Sequence, residues 1–314
     1  MLGKKFTNSN KTEMVPIIEP VAPSTLKAEL NSNLFLCDTS HGGFQVYLVD
    51  IESAPSVLTE IGRLRELAFR SNGGGTGKAV DLDRFDLDPS LGFKQIVLWD
   101  PVAQAIAGGY RILLGNNCRI AADGQPIMPS AHLFNFSEEF VKGFMPRTAE
   151  LSRSFITSSF LQASDAIRNV FALDGLFEGI CHAVKGTGMK FFFGKVTFYP
   201  TYPPEALSLV SAMFAKHSAD TLVKPHRPYP LLDLEDAGTI LCHDTFKEDF
   251  RSLKLEFRKR GYYIPPILNT YINLSSRFRF YGSAVNDEFG DVIEMGLLVA
   301  FSDIQPERYR QLLI

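Results

Sequence analysis

Residues 148–157 have the sequence TAELSRSFIT, in which the side chains follow a two-residue period. Such a period is typical of a β-strand, because successive side chains point to opposite faces of a sheet. The two faces of this strand are predicted to carry Glu150, Ser152 and Ser154, and Leu151, Arg153 and Phe155. A charged side chain in a central strand is costly unless it is paired or functional. Glu150 and Arg153 therefore indicate that a structural ion-pair network or an active site lies on this strand.

The preceding hairpin raises the same question. Segments 94–99 (KQIVLW) and 105–114 (AIAGGYRILL) are predicted to be antiparallel strands joined by a turn at Asp100-Pro101. Arg111 lies in the second of them. One glutamate and two arginines on neighbouring inner strands can form a structural network, or a site where a carboxylate takes a proton from a nucleophile. The residue types alone leave both interpretations open.

Helical and β patterns follow one another irregularly on either side of these strands. A strand is predicted at 43–51, and a helix opens with Ser56 as its cap and ends at a glycine-rich loop, residues 73–77. Later elements are predicted as helices at 170–185, 204–216, 245–260 and 265–275, and strands at 191–198, 277–280 and 292–301. Residues 219–242 are proline-rich and are predicted to be irregular. The order lacks the βαβ regularity of a doubly wound fold. It predicts an α/β (α+β) domain over residues 41–314, with a mixed central sheet flanked by helices, after an extended N-terminal arm over residues 1–40.

Charge and cysteine content limit the classes of function. Lys and Arg number 32 against 35 Asp and Glu, so the net charge of −3 provides no global basic field for nucleic acid. The four cysteines lack metal-type spacing and disulfide density, which favours a reducing cytoplasm. The N-terminus lacks the apolar stretch of a secretory signal. No apolar run approaches the roughly 20 residues of a spanning helix, so any contact with the inner membrane is expected to be peripheral.

Motifs for common cofactors are missing from the sequence. The glycine-rich loop fails as a P-loop, because Asn72 and Ala79 occupy positions that require glycine and a hydroxyl residue. We find no zinc signature, dinucleotide fingerprint or nucleophile elbow, and we expect neither a metal nor a cofactor. The carboxylate run at 81–88, DLDRFDLD, could hold a cation or an ammonium group, although composition alone favours a solvated loop.

Eight short segments follow one another along the chain: RELAFR (65–70), GT (75–76), DLDRFD (81–86), GGYRIL (108–113), ELSRSF (150–155), FGKV (193–196), PPILNTY (265–271) and DEFG (287–290). In order and spacing they resemble the lipid-forming amino-acid N-acyltransferases, which are the ornithine-lipid and glycine-lipid synthases often labelled hemolysin-like. These enzymes belong to the GNAT-like superfamily and are related to the acyl-homoserine lactone synthases. The resemblance covers residues 56–303, and the glycine-rich loop and the aspartate run are most similar to the glycine-lipid type.

The resemblance implies a GNAT-like fold and an N-acyltransferase activity. A fatty acyl group, typically 3-hydroxylated, would move from acyl carrier protein to the α-amine of glycine or ornithine, for aminolipid synthesis. Acyl carrier protein or CoA would carry the donor, with no further cofactor. The motif positions that line the site in acyl-homoserine lactone synthases are here Arg65, Phe69, Asp83, Asp86, Arg111, Glu150 and Arg153. No tryptophan follows shortly after Phe69, which argues against a homoserine-lactone product and S-adenosylmethionine use.

The expected mechanism is direct attack of the amine on a thioester. Glu150 is the candidate base, acting directly or through a water, with Arg111 and Arg153 as its catalytic companions. Asp83 and Asp86 would either hold the ammonium group or brace Arg111. Backbone N–H groups beside Phe155, where the central strands are expected to splay, would stabilise the oxyanion.

The sequence offers candidates for a docking surface and for an acyl-chain tunnel. An acidic carrier protein needs a basic docking patch, for which Arg168, Arg258, Lys259 and Arg260 are the candidates. Among the 26 phenylalanines, eight cluster near the proposed active strand and could wall an acyl-chain tunnel: Phe155, Phe160, Phe171, Phe177, Phe191, Phe192, Phe193 and Phe198.

The alternatives to this function are a CoA-dependent GNAT N-acetyltransferase, a membrane-active hemolysin-like protein and a non-catalytic lipid-binding module.

Overall fold

The computed structural model of the chain describes residues 14–157 and 166–313. The strands in this part of the chain are β1 (Phe35–Asp38), β2 (Gln45–Val49), β3 (Lys94–Asp100), β4 (Ala105–Leu114), β5 (Phe134–Phe136), β6 (Thr148–Ile156), β7 (Phe191–Phe198), β8 (Val223–Pro225), β9 (Arg279–Asn286) and β10 (Val292–Ala300). The α-helices are α1 (Pro23–Glu29), α2 (Pro55–Arg70), α3 (Arg84–Leu87), α4 (Ala166–Val184), α5 (Pro204–Ser218), α6 (Ala237–Ile240), α7 (Phe246–Arg260), α8 (Pro266–Leu274) and α9 (Glu307–Leu313). None of these helices is long and apolar enough to cross a membrane.

Eight strands form one mixed sheet in the order β1-β2-β3-β4-β6-β7-β10-β9. Neighbouring strands are antiparallel except for β6 and β7, which are parallel. Strands β5 and β8 form a separate antiparallel pair. The mixed sheet with helices on both faces is the predicted fold class, and the hairpin of β3 and β4 is confirmed.

The sheet opens between its two parallel strands. Pairing of β6 with β7 extends over only four residue pairs, from Thr148 with Phe191 to Leu151 with Gly194. Beyond Leu151, β6 stays on β4 as far as Ile156, while β7 stays on β10. The strands therefore separate in the second half of β6, as predicted.

A β-bulge at Arg153 reverses the faces of β6. Between the pairs Gly109 with Phe155 and Arg111 with Ser152, β6 has two residues where β4 has one. Arg153 takes up the extra residue at a left-handed φ of 53°. The strict alternation predicted for residues 150–155 is therefore wrong beyond Ser152.

The packing on each side of the sheet follows from this bulge. Leu151 packs on the face that α4 covers, and Ser154 hydrogen-bonds Tyr110 on that same face. Phe155 packs instead on the face that α2 covers, and Arg153 lies over the ring of Phe289 in the same cluster. Glu150, Ser152, Arg153 and Phe155 consequently share the α2 face of the sheet.

Residues 1–40 differ from the predicted extended arm in their described part. Residues 23–29 form α1, and residues 35–38 form the edge strand of the sheet. The carboxylate of Glu29 in α1 accepts hydrogen bonds from the backbone N–H groups of Ser56 and Val57, at 3.1 and 2.9 Å. Helix α2 is thus capped by a distant carboxylate, and the prediction of Ser56 as its side-chain cap is wrong.

Two short elements interrupt the segment that was predicted to be irregular. Within residues 219–242, β8 pairs with β5 and α6 packs beside α7. The predicted strands that became β2, β3, β4, β6, β7 and β10, and the helices that became α2, α4, α5, α7 and α8, are confirmed within a few residues.

Candidate active site

A cleft of about 390 Å³ occupies the opening between β6 and β7. Its polar end lies on the α2 face of the sheet and is lined by Ser152, Arg153, Lys195, Asn286 and Glu294. Its other walls are mostly aromatic or aliphatic and include Leu151, Phe155, Phe198, Ile267 and Tyr271. The cleft thus passes through the sheet and joins a charged region to an apolar one.

A buried network of aspartates and arginines lies beside the polar end. Asp86 is its centre, because its carboxylate accepts hydrogen bonds from Arg65 Nη1 at 3.0 Å, Gln95 Nε2 at 2.9 Å and Arg111 Nη1 at 3.1 Å. Its fourth donor is the backbone N–H of Asp83, at 3.0 Å. Both guanidinium groups are completely buried. Burial alone would raise the pKa of Asp86, but the two arginines outweigh it and hold this pKa well below its usual range.

Asp83 and Asp86 build this network through a local capping box. Asp83 caps the short helix α3 by accepting the Phe85 N–H at 2.8 Å, and Asp86 closes the box from inside the helix. The same Asp83 oxygen accepts Arg111 Nη1 at 2.7 Å. These contacts favour the interpretation that the two aspartates brace Arg111 over the alternative that they hold an ammonium group.

Arg153 connects the network to the cleft. Its Nε lies 2.9 Å from Asp81 Oδ2, and its Nη2 lies 3.9 Å from Asp83. The close pair lacks hydrogen-bond geometry, and burial raises the pKa of Asp81 despite the nearby guanidinium. Among the three arginines of the network, Arg153 is the one that lines the cleft, and it lies at the bulge of β6.

Glu150 lies behind the cleft surface. It is 1% exposed, and its two carboxylate oxygens accept the hydroxyls of Ser130 at 2.7 Å and Ser152 at 3.2 Å. Arg111 Nε donates to the same Ser152 oxygen at 3.1 Å. Ser152 itself lines the cleft, so its hydroxyl group lies on the path from Glu150 to the cleft.

Lys195, Glu294 and Asn286 were not predicted as site residues. Lys195 Nζ donates to Ser130 Oγ at 3.0 Å and lies 3.8 Å from Glu150 Oε1 and 3.6 Å from Glu294 Oε2. Asn286 Nδ2 donates to Glu294 Oε1 at 2.8 Å. The sequence did carry a signal, because Lys195 and Glu294 each interrupt an otherwise apolar strand.

The structure brings the predicted site residues together but at different depths. Phe69, Arg153 and Phe155 line the cleft. The side chain of Asp83 is 28% exposed at the edge of the network. Arg65, Asp86, Arg111 and Glu150 are buried behind these residues and are absent from the cleft lining among the described residues.

The seven described phenylalanines that were predicted to wall a tunnel divide into three groups. Phe155 and Phe198 line the cleft, while Phe177 and Phe192 line a separate apolar cavity of about 30 Å³. The cavity shares Leu151 and Tyr271 with the cleft walls. Phe171, Phe191 and Phe193 line neither space, and Phe160 lies outside the described residues.

The predicted docking residues lie on α7 and α4. Arg258 and Lys259 are exposed on α7, whereas Arg260 is partly buried between Glu256 and Asp236. The side chain of Arg168 lies outside the described residues. Helix α7 ends at Arg260 with Gly261 as its C-cap, and Tyr263, Pro265 and Pro266, which follow, line the cleft at its rim. The basic end of α7 is therefore only a few residues along the chain from the rim.

A second polar cluster lies away from the cleft. His41, Asp174 and Glu178 each offer one ligand atom, and these atoms lie within 4.8 Å of one another. Glu178 already accepts the backbone N–H of Ser40 at 2.8 Å, and Asp174 accepts the hydroxyl of Tyr309. The expectation that the chain uses no metal stays a prediction.

A mixed sheet opened between two parallel strands, with charged and apolar regions joined through the opening, is the arrangement of a GNAT-type acyltransferase. Residues 64–167 match the family model described as acetyltransferase (GNAT) domain. Glycine N(α)-acyltransferases from Bacteroides thetaiotaomicron and Phocaeicola vulgatus are 42% and 41% identical to the chain over 299 residues. These matches cover 94% of this chain and 88% and 91% of the two relatives. The chain belongs to the glycine N(α)-acyltransferase family, and it is an acyltransferase.

Two solved structures are also similar to the model. The N-acyl amino acid synthase FeeM from uncultured soil microbes matches with a TM-score of 0.41 and 11% identity, over 83% of this chain and 94% of that one. The CoA-dependent acyl-homoserine lactone synthase MesI matches with a TM-score of 0.36 and 11% identity, over 85% and 92%.

Proposed function

We propose that the chain transfers a fatty acyl group from a thioester donor to the α-amine of glycine, as the first committed step of an aminolipid. The observation that carries this proposal is the cleft through the sheet, which connects charged side chains on the α2 face to an apolar space on the α4 face. A zwitterionic acceptor fits the first region, and an acyl chain fits the second. The names of the two close relatives supply glycine as the preferred acceptor over ornithine.

The acyl chain would lie between β7 and α8. Leu151, Phe198, Ile267 and Tyr271 form this wall, and the small cavity beyond Leu151 and Tyr271 would receive the end of the chain. The thioester carbonyl would then lie in the opening. There the β6 backbone beyond Leu151 has no ladder partner on β7 in the described part of the sheet. Free N–H groups at this point would stabilise the oxyanion of the tetrahedral intermediate.

Glu150 would accept the proton of the attacking amine through Ser152. The nitrogen of the neutral amine attacks the carbonyl carbon, the C–N bond forms and the C–S bond breaks. The proton that the nitrogen loses to Glu150 returns to the departing thiolate, which leaves as the free thiol. Ser152 Oγ takes a proton from the nitrogen as it passes its own to Glu150, along the hydrogen bond that already joins them. Arg111 fixes this serine from the other side.

Acyl carrier protein is the proposed donor, and CoA is the alternative. The exposed Arg258 and Lys259 at the end of α7 would attract an acidic carrier protein to the rim near Tyr263. The salt dependence of the reaction distinguishes the two donors, because charge-led docking weakens as ionic strength rises.

The test is an assay of the purified chain with a 3-hydroxyacyl donor on carrier protein or on CoA, and with glycine or ornithine as acceptor. Mass spectrometry of the products should reveal N-acylglycine from the carrier-protein donor. Glu150→Gln keeps the side-chain shape and removes its basicity, so acyl transfer should fall by about 100-fold or more. Wild-type activity of this variant at neutral pH would overturn the base assignment. An absence of acylglycine with either donor would overturn the proposed function.

A further inference from the structure

The charged groups at the cleft do not balance. Two carboxylates, on Glu150 and Glu294, share one cation, on Lys195. The formal sum is −1 in a region that is largely buried. A buried surplus charge is costly unless a counter-charge joins it, so the arrangement favours binding of one more cation.

The surplus lies at Glu294. The three aspartates and three arginines pair among themselves, and Lys195 must serve both Glu150 and Glu294. Its hydrogen bond goes to Ser130, on the Glu150 side, which leaves a 3.6 Å separation to Glu294. Glu294 is 4% exposed, yet it lines the cleft. Among the described residues, its Oε2 therefore has only a distant cation that it shares with Glu150.

Asn286 adds an independent indication beside it. This side chain is 8% exposed, lines the cleft and donates its N–H to Glu294 Oε1. Its Oδ1 is buried and accepts no hydrogen bond from any described residue. A buried acceptor without a donor costs about 1–3 kcal/mol. Two acceptor oxygens, one on Asn286 and one on Glu294, are thus fixed on the β9–β10 hairpin with a need for donors.

We infer that Glu294 and Asn286 bind the α-ammonium group of the acceptor amino acid before it is deprotonated. An ammonium group supplies the missing positive charge and three N–H donors, of which two satisfy these oxygens. This inference rests on the proposed function and assigns the acceptor to the second half of the sheet. Glu150 and Ser152, on the opposite side of the opening, are then left for the proton transfer.

The two glutamates should therefore differ in their kinetic effects. Glu294→Gln removes the charge and keeps the shape, so KM for glycine should rise by about 10- to 100-fold. KM for the acyl donor and the pH profile of kcat should not change. Glu294→Asp should recover part of the glycine affinity. The matched control is Glu288→Gln, because Glu288 lies on the turn of the same hairpin with its side chain 75% exposed.

Several outcomes would overturn the inference. One is that the Glu294→Gln variant has the same KM for glycine as the Glu288→Gln control. Another is that its KM for the acyl donor rises as much as its KM for glycine. If Glu294→Gln does not fold, Asn286→Ala decides the matter: a rise in the glycine KM alone supports the site, and an unchanged glycine KM refutes it.

Calorimetry with glycine and no donor separates this inference from the proposed function. If the wild-type chain binds glycine and Glu294→Gln binds it much more weakly, the site stands even where no acyl transfer is detected. Equal binding by the two proteins overturns the site, whatever the outcome of the transfer assay.

Discussion

Replacing Asp86 by asparagine should destabilise the fold strongly. All four contacts of this carboxylate are accepted hydrogen bonds, from Arg65, Arg111, Gln95 and the backbone of Asp83. An amide at this position would direct N–H groups at one pair of donors and would leave two buried guanidinium groups with less counter-charge. Breaking a buried ion pair in this way costs about 3–5 kcal/mol.

The expected change in melting temperature follows from the size of the chain. With an unfolding entropy of about 2.1 cal/mol/K per residue, 314 residues lose about 1.5 °C per kcal/mol, so Tm should fall by about 5–8 °C. Differential scanning calorimetry at pH 7 measures this. The control is Asp88→Asn in the same carboxylate run, because Asp88 is exposed and asparagine can keep its hydrogen bond from the Ser90 N–H.

The same substitution should change how the stability of the fold depends on pH at acidic pH. The arginines lower the folded-state pKa of Asp86 below its ordinary value of 3.8. Its contribution is therefore fully present above about pH 4 and is lost as pH falls towards the lowered pKa. The difference in Tm between wild type and Asp86→Asn should shrink below pH 4. A variant that melts within 1 °C of wild type at pH 7 would refute the role of Asp86 as the centre of the network.

Three further variants test the cleft. Gly194 lines the small apolar cavity, and a Cβ there would lie 3.4 Å from the Tyr271 hydroxyl. Gly194→Val should therefore favour shorter acyl donors, with kcat/KM lowered by about tenfold or more for each methylene that no longer fits. An unchanged preference for acyl-chain length would contradict this. Arg258→Glu should raise KM for the donor on acyl carrier protein at low salt but not at high salt. Acyl-CoA is the control donor, and equal effects on the two donors would contradict docking at α7. Ser152→Ala should lower kcat by about 100-fold without raising KM for glycine, and full activity would show that Glu150 does not act through this serine.

The strands of the fold could be predicted from sequence because their signals are local. The apolar runs and two-residue periods of β2, β3, β4, β6 and β7 lie within the strands themselves. The edge strand β1 and the cap of α2 could not be predicted in this way. The cap depends on Glu29, which comes from a separate helix, and no short-range pattern links the two.

The candidate site was predictable only in part, for two physical reasons. The bulge at Arg153 moves one side chain and all that follow to the opposite face, and nothing in the alternation of TAELSRSFIT marks the extra residue. The second reason is that Lys195 and Glu294 meet across an antiparallel pair of strands about a hundred residues apart in the chain. Each is visible in the sequence as a charge in an apolar strand, but their pairing depends on the strand order.

The four-pair contact between β6 and β7 also shapes how the sheet opens locally. Strands β1 to β4 and β6 form one antiparallel half of the sheet, and β7, β10 and β9 form the other. Each half contains hairpins of strands that are consecutive in the chain, while the four-pair parallel contact that joins the halves is the shortest pairing among the inner strands. A pairing with few hydrogen bonds opens at a lower free energy than a long one. We therefore expect the amides that bond across this seam, within residues 148–151 and 191–194, to exchange with solvent faster than those of the β3–β4 hairpin, so that local opening of the sheet begins at the border of the cleft.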